Sequence, residues 1–186
     1  MTADGEKAGA LCTIGYERAS LVGFVAALKE AQVATLVDVR DRPWSMRPDF
    51  RRDALRKSLL EAGIGYVHIR ALGNPPEGRD AAKAGDVEGY RRHMDQRLAS
   101  REGQEGLGRA AELARRGPIC LMCYERDPAQ CHRSRVADDL TARGLGAPRE
   151  GRTILSARGF ARAPREGRTI LSARGFARAP RHLFVE

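Results

Sequence analysis

The sequence predicts an α/β fold: a single domain with a central, mainly parallel sheet of four to five strands flanked by helices. Three observations predict it. Apolar runs of strand length alternate with segments whose apolar residues recur at helical spacing. The runs at 35–39 and 118–122 are almost wholly apolar, as in strands covered on both faces. Reactive side chains gather just after these runs, where open parallel sheets bind ligands.

Each element follows from local signals. Residues 11–14 form the first strand, ending at Gly15-Tyr16. Ser20 caps a helix whose Leu21, Phe24, Val25 and Leu28 keep i, i+3, i+4, i+7 spacing. Residues 35–39 are the second strand, with Asp38 and Arg40 at its end, and a Pro43-Trp44-Ser45 loop follows, Trp44 reading as a lid over the core, with a stacking platform for a base as the alternative. Asp49 is placed to cap a helix carrying Phe50, Leu55 and Leu59 on one side, stopped by Gly63. Residues 66–69 are the third strand. Residues 73–85, rich in Gly and Pro, read as a loop. Helices are expected over 87–98 and 105–115. The fourth strand at 118–122 leads to a helix from Pro128 to about Arg143, capped by Asp127. Residues 182–185 would form a last edge strand.

The chain has 186 residues and a net charge of +9. Residues 148–186 hold nine Arg and three Glu, so +6 of that charge sits there. Basicity is thus a property of the C-terminal segment. Within it, PREGRTILSARGFARA at 148–163 repeats without change at 164–179. Two identical copies are not a solenoid, which needs about three or more units. A tandem duplication is the plainer explanation, an Arg-rich arm for phosphate backbones the other. Two copies cannot fill one slot, so one is expected to be looped out. Three regions are therefore drawn: a leader at 1–10, an α/β domain at 11–147, and the Arg-rich segment at 148–186.

No apolar run approaches the roughly 18 residues of a membrane span, and the N-terminus lacks a signal-peptide pattern. Four cysteines in a chain of this length are not a disulfide framework. The expectation is a cytoplasmic, reduced protein with no membrane association.

The densest chemistry lies at 120–135, CLMCYERDPAQCHRSR. Cys120 and Cys123 form C-x-x-C, but residues three apart on a strand point to opposite faces. Cys131 and His132 are adjacent on the expected helix, about 100° apart, which is awkward for one metal ion. A fourth ligand such as His68 is not assured. No metal and no cofactor are therefore assigned. His132 and Arg133 are expected to face the sheet edge, with Cys131 turned away from them.

What remains is a charged junction. Arg40 and Arg133 would bind an anion through bidentate guanidinium contacts, helped by Tyr16 and Ser45. Asp38, Glu125 and His132 would handle protons, and Cys123 is the thiol placed to join them. The plainer reading makes Asp38, Arg40, Glu125 and Arg133 a structural ion-pair network. The functional reading is an enzyme on a phosphate, nucleotide or nucleic-acid substrate. The alternative is a non-catalytic nucleic-acid or protein-binding module.

Several of these residues carry a resemblance. Ile14-Gly15-Tyr16, Asp38-Val39-Arg40 with Pro43 and Ser45, Gly63-Ile64 with Tyr66, Leu72-Gly73, and Cys123-Tyr124-Glu125 before Cys131-His132-Arg133 occur in that order. The set resembles the uncharacterised family called domain of unknown function 488, over about residues 11–145. The resemblance implies a compact α/β domain and no settled activity. Members often have a small hydroxyl residue where this chain has Glu17. The Cys123 and Arg133-Ser134 positions are also similar to rhodanese-like domains, which would imply thiol chemistry at Cys123. Here, however, nine residues separate Cys123 from Arg133, in place of a short Gly-containing cradle.

Overall fold

The computed structural model describes residues 10–145 and 153–155. Expectations for the leader, the second repeat copy and an edge strand at 182–185 fall outside the described residues. The strands are β1 (Leu11–Gly15), β2 (Thr35–Asp38), β3 (Gly65–His68), β4 (Ile119–Cys123) and β5 (Thr153–Leu155). All pair in parallel, in the order β3-β2-β4-β1-β5. The helices are α1 (Leu21–Glu30), α2 (Arg52–Glu61), α3 (Pro76–Lys83), α4 (Val87–Ala99), α5 (Arg101–Arg116) and α6 (Arg133–Ala142). The α/β fold with a parallel sheet stands as expected.

The chain runs outward from β1 to β2 and β3, then returns to place β4 in the centre. β4 is buried along its whole length, so each of its faces needs its own layer. Leu121 and Cys123 share one core with Leu107 and Ala110 of α5 and Val136 and Leu140 of α6. Cys120 and Met122 share the other with Phe24 and Leu28 of α1 and Leu55 and Leu59 of α2. This period-two alternation sends Cys120 and Cys123 to opposite faces, as the strand reading requires. The first repeat copy supplies β5, whose Thr153 pairs with Thr13 at the β1 edge.

Local signals account for most boundaries. Ser20 accepts a hydrogen bond from Gly23 N and starts α1. Gly63 follows α2 with φ +76°, the left-handed position a helix stop favours.

Three expectations are corrected. Residues 73–85 contain helix α3 rather than a plain loop. Pro75 and Pro76 are its opening, because a proline at the first turn sacrifices no hydrogen bond. Asp49 does not cap α2; it lies in a short 3-10 turn, Pro48–Phe50, and Arg51 precedes the helix with no side-chain cap. The last helix begins at Arg133 instead of Pro128. Asp127 caps a 3-10 turn, Pro128–Gln130, and Cys131 then returns to extended backbone at φ −132°, ψ 141°.

Asp41, just beyond β2, ties this sheet end to α3. It accepts from Arg70 Nε at 3.1 Å and Arg79 Nη1 at 3.0 Å. Burial opposes its charge, but the two guanidiniums hold the carboxyl below the usual carboxylate range. A depressed folded-state pKa gives stability that is full above the unfolded value and fades as pH falls through the folded one. The urea midpoint should therefore drop more steeply below about pH 4 in the parent chain than in Asp41→Asn. Equal slopes would mean the triad contributes nothing.

Candidate functional site

The C-terminal ends of β1, β2 and β4 open on a cavity of about 920 Å³. Gly15 ends β1 against the segment after β4, where an added Cβ would sit 1.8 Å from the Glu125 carbonyl oxygen. Only glycine allows that approach. Glu17 then accepts from Arg126 N at 3.1 Å, so its role is to hold the same loop.

Two positions expected to bind an anion are occupied otherwise. Arg40 donates through Nε and Nη2 to Asp38, at 2.9 and 2.6 Å, and through Nη1 to Tyr16 Oη and the Phe50 carbonyl, at 3.1 and 3.0 Å. Tyr66 Oη donates to the same carboxylate at 2.6 Å. Burial disfavours the Arg40 charge, yet Asp38 more than restores it and raises the guanidinium pKa above its ordinary value. Arg133 has no exposed surface and donates to the carbonyls of Glu125 and Arg126. Arg40 uses its guanidinium on the protein itself, and Arg133 commits both terminal nitrogens to carbonyls with its Nε buried and unpartnered, so both side chains hold the site in shape.

The expected four-residue ion-pair network divides accordingly. Asp38 with Arg40 forms one buried pair, Arg133 grips carbonyls, and Glu125 has no ion pair among the described residues. Arg40, Tyr16, Ser45, Cys123, Glu125 and His132 all line the cavity; Asp38 and Arg133 lie behind its wall. Ser45 Oγ accepts from Arg47 N at 3.1 Å, shaping the loop. Tyr16 is stacked on Phe50 with ring centroids 4.5 Å apart. Trp44 is no lid over the core: it is 48% exposed, lines the cavity and stacks with Arg51.

The cysteines give the largest correction. Cys131 is not turned away from His132. Cys123 Sγ lies 3.7 Å and Cys131 Sγ 3.9 Å from His132 Nδ1. The 100° argument fails because Cys131 lies on extended backbone before the helix, so helical geometry does not apply to it. The second ring nitrogen, Nε2, is 2.8 Å from the Val39 carbonyl oxygen, to which it donates. His68 is not part of this group; its Nε2 contacts the Arg40 carbonyl at 2.7 Å.

This cluster is electrically coupled. Burial weighs against the His132 charge, but the Cys131 sulfur beside it raises the imidazole to about 9. Burial likewise resists ionisation of Cys131, yet the Cys123 thiol and His132 pull it well below its ordinary value. Cys123, donating to Cys131 and buried, moves the other way. Burial, reinforced by the Cys131 charge, pushes Glu125 up to about 7. Its Oε2 is buried without a hydrogen-bond partner.

Sequence reasoning missed the cationic wall. Arg42, Arg47, Arg79 and Lys83 line the cavity. Arg79 and Lys83 come from α3, a stretch whose Gly and Pro content predicts a loop. Arg47 donates to the carbonyls of Tyr16 and Ala19, and Arg79 to Asp41 and Asn74. Arg42 is exposed and forms no ion pair among the described residues. A signal was available: the arginines adjoining the Asp38-Val39-Arg40 segment lie in the loop after β2, where ligands of parallel sheets bind.

The model of the family described as domain of unknown function DUF488 matches residues 20–140. No curated protein and no solved structure matches the chain. Among the described residues, no helix is long and apolar enough to cross a membrane.

Proposed function

Because the chain belongs to the DUF488 family, whose description assigns no activity, its function is argued from its own site, and we propose that it is an enzyme acting on an anionic substrate of the nucleotide class. One observation carries the reading. A single cavity has Cys123, Glu125 and His132 in its lining and Arg42, Arg47, Arg79, Lys83 and Trp44 around them. The positive charge of this wall suits phosphate oxygens, and Arg42, whose guanidinium forms no ion pair among the described residues, is the side chain placed to contact them, while Arg47 and Arg79 hold the loop and α3 around it. The exposed indole offers a face on which a base can stack. Glu125 presents the carboxyl that exchanges protons with the substrate. Asp38, Arg40 and Arg133 position these groups.

A second reading is thiol chemistry at Cys123. The 3.7 Å contact between its sulfur and His132 Nδ1 and its place in the cavity lining favour it, while the thiolate character of the cluster lies on Cys131 rather than on Cys123.

Trp44 is the only tryptophan in the chain, so its fluorescence reports on this cavity alone. Titration with nucleoside mono-, di- and triphosphates should change it saturably, and Arg42→Ala should weaken binding roughly tenfold, the scale of one charge-assisted contact. Glu125→Gln should keep binding and lose turnover of whichever nucleotide binds. If none of these ligands saturates the signal at millimolar concentration, the proposal fails.

A further inference from the structure

We propose that Cys123, Cys131 and His132 form a binding site for a divalent cation of the zinc class, with an open coordination position toward the cavity and Glu125 beside it. The inference deepens the reading of the cavity as a reaction site and rests on it.

The donor set is the first argument. Two thiols and an imidazole select borderline-soft cations such as Zn²⁺ over Mg²⁺ or Ca²⁺, which take oxygen ligands. The spacing is the second. With metal–sulfur and metal–nitrogen bonds of about 2.3 and 2.0 Å, a tetrahedral ion sets its nitrogen and sulfur ligands about 3.5 Å apart and two sulfurs about 3.8 Å apart. Nδ1 of His132 lies 3.7 and 3.9 Å from the two sulfurs. All three ligand atoms fall within 4.8 Å of one another. The triangle is already near the size an ion requires.

The orientation of His132 is the third. Its Nε2–H is anchored on the Val39 carbonyl at 2.8 Å, which turns Nδ1 toward the sulfurs, where a bound cation would replace the proton that the metal-free imidazole holds. Metal-ligating histidines are fixed in this way by a second hydrogen bond. The support is rigid, because Cys123 closes β4, and Arg133, next to His132, grips the carbonyls of Glu125 and Arg126.

Glu125 is the fourth. Its Oε2 is buried with no partner, a costly arrangement unless something is bound nearby. The carboxylate is outside the three-atom group, so it fits a proton carrier better than a ligand. Cys123, His132 and Glu125 line the cavity while Cys131 does not, so the ion would be reached from the cavity side. Three protein ligands with one open position is the arrangement of catalytic rather than structural zinc. The reaction class that follows is hydrolysis. A water in the open position gives one proton to Glu125 and adds its hydroxide to the electrophilic atom of the substrate. The bond to the leaving group breaks, and Glu125 returns the proton to that group.

The test is metal content of the full chain, purified without chelator or a histidine tag. About one zinc per chain is expected. After chelation, cobalt should bind with thiolate-to-metal charge-transfer absorption. Cys131→Ser and His132→Ala should lose both, while Cys12→Ser, on β1 outside the cluster, keeps them. If a variant fails to fold, the parent chain still decides, because cobalt without a charge-transfer band means the cysteines do not ligate. Absence of metal together with no cobalt uptake overturns the inference, as does full metal retention in both site variants. Trp44 fluorescence with nucleotides distinguishes the two proposals: anion binding without metal sinks only the ion site, and metal without anion binding sinks only the nucleotide reading.

Discussion

Asp38→Ala is expected to lower the unfolding free energy by about 3–5 kcal/mol, the range for breaking a buried ion pair by removing one partner. Asp38 is fully buried and Arg40 nearly so. Both carboxylate oxygens are used: Oδ1 accepts from the backbone and Nε of Arg40, and Oδ2 from Nη2 and from Tyr66. Without them a buried guanidinium faces only neutral acceptors, and the Tyr66 hydroxyl loses its partner. Because Arg40 also holds Tyr16 and the Phe50 carbonyl, the cavity wall should shift with it. Urea unfolding at neutral pH measures the loss. Adding Arg40→Met should recover part of it, since a buried pair replaced as a whole by apolar groups is often close to neutral. A loss under about 1 kcal/mol, typical of exposed pairs, would contradict the burial seen here.

Arg133→Ala should cost about 2–4 kcal/mol, from a large buried side chain removed and two carbonyls left without their donor. Arg133→Met should cost less, because it fills most of the volume and removes a desolvated charge. In both variants the loop at 125–126 should loosen, read as faster amide exchange after β4. The comparison separates two roles for this residue. A guanidinium that binds substrate would leave stability intact on change to Met and raise KM alone. A positioning guanidinium moves stability, loop protection and turnover together.

Arg133 and Arg40 also show where sequence reasoning stops. Arginines just after a strand and at the start of a helix suit anion binding, and the sequence pattern predicts that role for both. Nothing in their spacing shows that Arg40 closes a fork on a carboxylate two residues earlier, or that Arg133 reaches back to two carbonyls. Those choices depend on which acceptors the packed chain leaves without water. The cationic wall was missed for a related reason. Gly and Pro between 73 and 85 signal a break, but Pro76 at a helix start and Gly85 with φ +75° after its end are also helix boundaries. The composition is the same for both, and contacts between α3 and α4 decide for the helix.

The sequence by itself determined the parallel α/β sheet, the Ser20 cap, the Gly63 stop and the separation of Cys120 from Cys123. These follow from short-range periodicity: a strand alternates faces every residue, and caps act within one turn. Only the tertiary structure decided that Cys131 meets Cys123 and His132. That meeting depends on a 3-10 turn and one extended residue between strand and helix. Their backbone angles carry no repeating pattern to read, and they are fixed by the carbonyls that Arg133 and Ser134 grip in the folded chain.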